Sequence, residues 1–267
     1  MHISDRERLA ANELTTLFLK NKDNLPYANI GICNEYLGWV NDFHLKDSRN
    51  NKIHLNLKSK NDLFLLFVLA VVWSRTGQWE NAAFFVTYLK IFKKDSIQFW
   101  AEESNYKEEQ YLRQKTSEII TKELTGLIPR KKLGFRKDIF ASIHLLSTNW
   151  DKIIQKLAES EKEKDFKLFM KYLRNIEGLG VGNRKILIKI PLILRELRCQ
   201  NIYSNISGEY CCVPDARVYK AGRKLNIQLP IASNLEKLIE SSTKIYRLFG
   251  DLYDLPLFAL EDLKEVQ

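Results

Sequence analysis

Ile176-Glu177-Gly178-Leu179-Gly180-Val181-Gly182-Asn183-Arg184 is the stretch on which the reading of this chain turns. On its N-terminal side, Phe166 to Ile176 places apolar residues at helical spacing, and on its C-terminal side Arg184 to Leu197 does the same. Three glycines at alternate positions let the backbone turn sharply between these helices and approach a partner closely. The free N–H groups opening the second helix then point outward, where a phosphate oxygen suits them. Lys185, Lys189 and Arg195 lie on that second helix and are expected to add positive charge to it. A plain helix–helix turn is the competing reading of the spacing alone.

Downstream of this hairpin stands Val213-Pro214-Asp215-Ala216-Arg217-Val218-Tyr219-Lys220, followed by Arg223-Lys224-Leu225-Asn226. Asp215 falls where a helix should begin, directly after Pro214. An acid there is either an N-cap or a catalytic carboxylate held at a helix N-terminus. The hairpin before it and the basic residues behind it favour the second role.

The rest of the chain reads as all-α. Helical periodicity covers Leu9 to Lys20, Asp62 to Trp73, Asn81 to Phe92, Tyr106 to Leu124, Asp138 to Leu146, Trp150 to Leu157, Ala216 to Leu225 and Leu235 to Phe249. Strand signals are weak, with little period-2 alternation and no Asn-Gly or Asp-Gly turn between alternating runs. Asn149, Asp165 and Asn234 are placed to cap the helices that follow them. Pro191 should kink or shorten the helix after Arg184. Residues 41–59 are polar and mixed, and are expected to form loops or a short hairpin.

Composition is compatible with this reading. The 267 residues hold 42 Lys+Arg against 33 Asp+Glu, a net charge of +9. That excess points to a polyanion, nucleic acid before an acidic membrane surface. With 45% hydrophobic residues and 28% charged, the chain is globular rather than disordered. The four cysteines include no C-x-x-C pair, which excludes zinc ribbons and four-cysteine iron–sulfur loops. Adjacent Cys211 and Cys212 suit reduced thiols, and are expected to be buried rather than reactive. The charged start lacks an apolar signal region, and the most apolar run, Leu63 to Trp73, is too short to span a bilayer. A cytoplasmic protein without membrane contact is expected.

On these residues the chain resembles the helix–hairpin–helix superfamily of DNA glycosylases, which includes endonuclease III and the alkylpurine glycosylases. Ile176, Gly178, Leu179 and Gly180 match the family hairpin. Asp215, Val218, Lys220, Lys224 and Leu225 fall on the spacing of its catalytic Asp and the basic helix after it, with Lys for Arg and Asn226 for Gly. Leu65 to Ala82 is similar to the family's first barrel helix and the loop after it, and Gly134-Phe135-Arg136-Lys137 to a family helix entry. The resemblance runs over residues 63–250.

It implies a two-lobed helical bundle. A six-helix barrel lobe over 63–198 would contain the hairpin, and residues 1–62 plus 199–267 would form a second lobe carrying the aspartate at the cleft. It further implies a monomer acting on double-stranded DNA, with an N-glycosidic bond cut through an oxocarbenium-like sugar. Asp215 would stabilise that cation and orient or deprotonate the water. Gly178, Gly180, Gly182, Arg184, Lys185 and Lys220 would contact DNA, and Arg75 and Thr76 would wedge the gap left by the flipped base. Tyr36, Trp39, Trp73 and Trp79 would stack with that base, with core packing an equal alternative for Trp73 and Trp79. The family implies no metal here, although the hairpin suits a monovalent cation.

Departures from the pattern shape the expected chemistry. Members that also cut the backbone carry a lysine two residues after the second motif glycine. That position is Gly182 in one register and Arg184 in the other, and arginine is a poor Schiff-base former. A monofunctional hydrolase is therefore expected, with a glycosylase/lyase using Lys185 and a non-enzymatic DNA-binding module as alternatives. The gap from hairpin to aspartate is longer by about a dozen residues, spanning Leu197 to Cys212. No acid stands one turn before Ser74, where adenine-excising members have a glutamate. His144 is expected to be structural. Arg130 to Lys137 serves either as a phosphate contact or as a solvated turn.

Overall fold

The structure is a computed structural model that describes residues 2–25, 55–76, 79–92, 96–111, 137–176, 179 and 184–263. Among these residues all regular secondary structure is helical. The helices are α1 (Asp5–Asn21), α2 (Lys60–Thr76), α3 (Trp79–Phe92), α4 (Ser96–Ala101), α5 (Glu103–Tyr111), α6 (Lys137–Thr148), α7 (Trp150–Glu163), α8 (Phe166–Asn175), α9 (Arg184–Cys199), α10 (Ala216–Lys224), α11 (Leu235–Phe249) and α12 (Leu255–Leu263). The all-α expectation is met. No described helix is long and apolar enough to cross a membrane.

The run that is apolar on every side, Leu63 to Val72, is the centre of the fold. Each of its residues is buried, as a helix without a polar face must be. Helices α3, α4, α6 and α9 pack around α2. Aromatic edges lock the contact with the next layer. Trp150 at the start of α7 meets Phe64 and Phe67 edge-on at centroid distances of 5.2 Å, and Phe67 meets Phe169 of α8 at 6.2 Å. Such pairs add about 0.5–1.5 kcal/mol each beyond the area they bury.

Capping follows the sequence at two of the three expected positions. The Asp165 side chain accepts from Lys167 N at 2.9 Å, and that of Asn234 from Lys237 N at 2.9 Å. Asn149 does not cap α7. Its amide instead donates to the Leu145 carbonyl at 2.8 Å. Because α6 ends at Thr148 and α7 begins at Trp150, Asn149 serves the unpaired carbonyls of the helix it closes, not the N–H groups of the one it opens.

The expectation for Pro191 is corrected in part: it does not shorten α9, which continues to Cys199. A proline inside a helix costs about 3 kcal/mol. Leu187, Ile190, Leu192, Ile193, Leu194 and Leu197 are all buried around it, and each returns roughly 1.5–3 kcal/mol. Burial wins, and the helix continues past the proline beside α2.

The two ends of the chain meet. Helix α1 packs on α11 and α12. Glu7 closes a capping box with Ser4, accepts from Gln228 N at 3.0 Å, and pairs with the buried Lys244 ammonium at 2.6 Å. Burial alone would raise the Glu7 pKa, but the Lys244 ammonium and the Ser4 and Gln228 amides outweigh it and hold the carboxyl down at about 2. Of residues 41–59, only 55–59 are described; they form a turn with Leu55 and Leu57 buried.

Candidate functional site

Asp215 is delivered to the start of α10 by a chain of buried contacts. Asp254, just before α12, is almost wholly enclosed. Its Oδ1 accepts from Arg195 Nη1 of α9 at 2.9 Å and from Val213 N at 2.7 Å. Cys212 N donates to Ser242 Oγ of α11 at 2.9 Å. The segment ahead of Pro214 is thereby pinned between α9, α11 and α12. Burial lifts the Asp254 carboxyl above its ordinary range, with the Arg195 guanidinium pulling the other way. The thiols of Cys211 and Cys212 are enclosed and raised by burial, as structural cysteines are.

At the helix start the Asp215 carboxylate divides its work. Oδ1 accepts from Arg217 N at 3.0 Å and from Val218 N at 3.1 Å, which caps α10. Oδ2 faces Lys189 Nζ of α9 at 3.3 Å. That ammonium also lies 3.6 Å from the centroid of the Trp73 ring, at the C-terminal end of α2. The Asp215 side chain remains 20% exposed and that of Lys189 only 9%. Three elements distant in sequence thus bring a carboxylate, an amine and an indole face together. The aspartate is both a cap and a carboxylate with one oxygen turned to a buried amine.

Lys189 is the residue that sequence reasoning misjudged. From the sequence it is expected, with Arg195, to add positive charge to the helix after the hairpin. Both are buried and both are paired with carboxylates. The signal was present: Lys189 stands in Ile186-Leu187-Ile188-Lys189-Ile190-Pro191-Leu192-Ile193-Leu194, and a helix apolar on all sides cannot turn a lysine to water. Burial lowers the pKa of the Lys189 ammonium, while the Asp215 and Asp254 carboxylates draw it back up and Arg195 pushes with burial.

The basic residues of α10 are also less free than their count suggests. Arg217 Nη2 pairs with Asp262 of α12 at 2.5 Å, and the guanidinium carbon lies 4.4 Å from the centroid of the Phe258 ring. Lys220 and Lys224 both reach Glu261 of α12, at 2.7 and 2.8 Å. Hydrogen bonds from these two lysines hold the Glu261 carboxyl down at about 2. His144 is structural, as expected: its Nδ1 shares a 2.8 Å hydrogen bond with the Trp100 carbonyl, and its ring stacks on Tyr106 at 4.4 Å.

Of the remaining candidates, Tyr36, Trp39, Gly178, Gly180 and Gly182 lie outside the described residues, as does Arg130 to Arg136. Arg75, Thr76 and Trp79 fall on α2 and α3, and Arg184 and Lys185 on the first turn of α9, with their side chains outside the description. Leu179, at the middle of the glycine stretch, is buried, and its N–H donates to the Ile176 carbonyl at 3.0 Å. Comparison with family models, with curated proteins and with solved structures finds no match. The geometry around Asp215 therefore carries the functional argument alone. Among the described residues no group of His, Cys, Asp and Glu side chains is arranged to hold a metal ion.

Proposed function

We propose that the chain is a DNA glycosylase that hydrolyses the N-glycosidic bond of a base flipped out of duplex DNA. The observation that carries this reading is the divided carboxylate of Asp215. Oδ1 is committed to the helix cap, Oδ2 faces an amine that itself lies on an aromatic face, and the side chain as a whole keeps 20% of its surface exposed. Breaking the bond to C1′ leaves a cationic sugar, and a fixed carboxylate is the side chain suited to stabilising it and to taking a proton from water. The net positive charge of the chain suits a DNA backbone. In this reading the helices form two lobes, 63–198 and 1–62 with 199–267, and Asp215 opens onto the cleft between them. Trp73 then borders the base pocket by its edge, the Lys189 ammonium covering one face of its ring.

The test is incubation with natural and modified duplexes, followed by mass spectrometry of the released base. Asp215→Asn keeps the shape of the side chain and is expected to abolish release while DNA binding persists. Release at the wild-type rate by this variant removes Asp215 from the mechanism. Borohydride trapping on abasic DNA separates the hydrolase from a lyase using Lys185, since only the lyase leaves a covalent adduct.

A further inference from the structure

We propose that Lys189 is the general acid of this site, giving its proton to the departing base while Asp215 collects the proton of the attacking water. The inference rests on the glycosylase reading and adds to it a second catalytic residue. Its basis is the placement of the amine. Lys189 Nζ is held between the Trp73 face, at 3.6 Å, and Asp215 Oδ2, at 3.3 Å. A base entering past the edge of Trp73 toward Asp215 would meet the same ammonium that touches the carboxylate. An acid and a base in direct contact are suited to opposite halves of one reaction.

The step balances. As the bond from C1′ to the base nitrogen breaks, its electron pair goes to the base, and the base takes a proton from Lys189 Nζ. Water adds to C1′ and loses a proton to Asp215 Oδ2. That proton returns to Lys189 across the 3.3 Å contact, which restores both groups. The products are the free base and an abasic sugar.

The surroundings of the amine favour the donor role. Burial makes the Lys189 ammonium a stronger acid than a surface lysine. The charged groups acting on it are Asp215 before α10, Asp254 before α12 and Arg195 on its own helix. Arg195 is already engaged with Asp254, and Oδ1 of Asp215 with the α10 cap.

The leaving base provides the test. A neutral base needs a proton to depart, whereas 7-methylguanine already carries a positive charge and does not. Duplexes holding uracil, hypoxanthine or 5-hydroxymethyluracil are compared with one holding 7-methylguanine, for wild type, Lys189→Met and Lys189→Arg. General acid catalysis is worth roughly 10²–10⁴-fold, so Lys189→Met should lose at least about 100-fold on neutral bases. On 7-methylguanine it should stay within about threefold. Lys189→Arg should fail on neutral bases as well, because arginine keeps its proton. Equal losses on both classes, as a purely structural lysine would give, overturn the proposal. So does a wild type that releases 7-methylguanine alone. If the wild type acts only on neutral bases, the pH profile decides: its rate should fall as Lys189 deprotonates, and a fall that persists in Lys189→Met overturns the proposal. A wild type that releases none of these bases overturns the glycosylase reading itself.

Discussion

Glu196 gives the sharpest handle on how burial and charge compete in this fold. It lies on α9 beside Arg195, is 2% exposed, and its Oε1 has no hydrogen-bond partner among the described residues. Burial raises its pKa from 4.5 to about 7, against the pull of the Arg195 guanidinium. The folded chain therefore prefers the neutral acid. A carboxyl raised in the folded state leaves stability intact below pH 4.5 and removes it as the pH climbs to about 7. The rise from 4.5 to about 7, at 1.36 kcal/mol per pH unit, corresponds to about 3 kcal/mol. Glu196→Gln keeps the shape and cannot ionise, so its stability should lack this loss. Urea unfolding of both proteins between pH 4.5 and 8 measures the difference. The variant should gain on the wild type by about 3 kcal/mol across that range, or roughly 6–12 °C in Tm for a domain of this size. A gap between the two proteins that does not change with pH would falsify the reasoning.

Other perturbations follow from the same contacts. Asp254→Ala strips the partner from the buried Arg195 and the acceptor from Val213 N, and should cost about 3–5 kcal/mol in urea unfolding; a loss below about 1 kcal/mol would mean the segment before Asp215 is held by something else. Glu7, held at about 2, stabilises the chain above pH 4.5 and loses that contribution as the pH falls toward 2, so Glu7→Gln should cost about 2–3 kcal/mol at pH 7 and almost nothing at pH 2, checked by acid titration of the helical signal. Removing the acid that occupies Lys220 and Lys224 should strengthen DNA binding: Glu261→Gln is expected to tighten it roughly threefold at 0.1 M salt with a steeper salt slope, and an unchanged slope would place these lysines away from DNA. Gly208→Ala would put a methyl group into the Tyr246 ring, and should lower stability by about 1–3 kcal/mol unless that ring swings out, which a thermal melt detects.

The helical architecture was legible because periodicity and caps agree in most segments. Asp165 and Asn234 cap as their positions suggest, and Asp215 does so because Pro214 ends the chain before it and apolar spacing resumes after it. Two short helices were not legible. Ser96–Ala101 is too brief for a periodic signal, and Leu255–Leu263 is nearly uniform in its apolar run, so neither presents a clear stripe. Asp215 could be singled out from its neighbours in sequence, but Lys189 and Trp73 could not be joined to it. Lys189 stands 26 residues before the aspartate and Trp73 far upstream, and only the packing of α9 on α2 brings them together. Charge was the least legible property. The lysines of α10 look free in a linear reading because their partner, Glu261, belongs to a helix some 40 residues later.

The bond between Glu7 and Lys244 joins residues 237 apart in sequence, and this bears on how the protein is made. At about 5–20 residues per second, α1 emerges from the ribosome roughly 10–50 s before the helices that receive it. Throughout that interval Ala11, Leu14 and Phe18 lack the surfaces of α11 and α12 on which α1 packs. Chains truncated before residue 244 should therefore leave part of the apolar face of α1 exposed, which increased binding of a hydrophobic dye would report. Closing so long a loop costs conformational entropy, which the packing of α1 on α11 and α12 must offset.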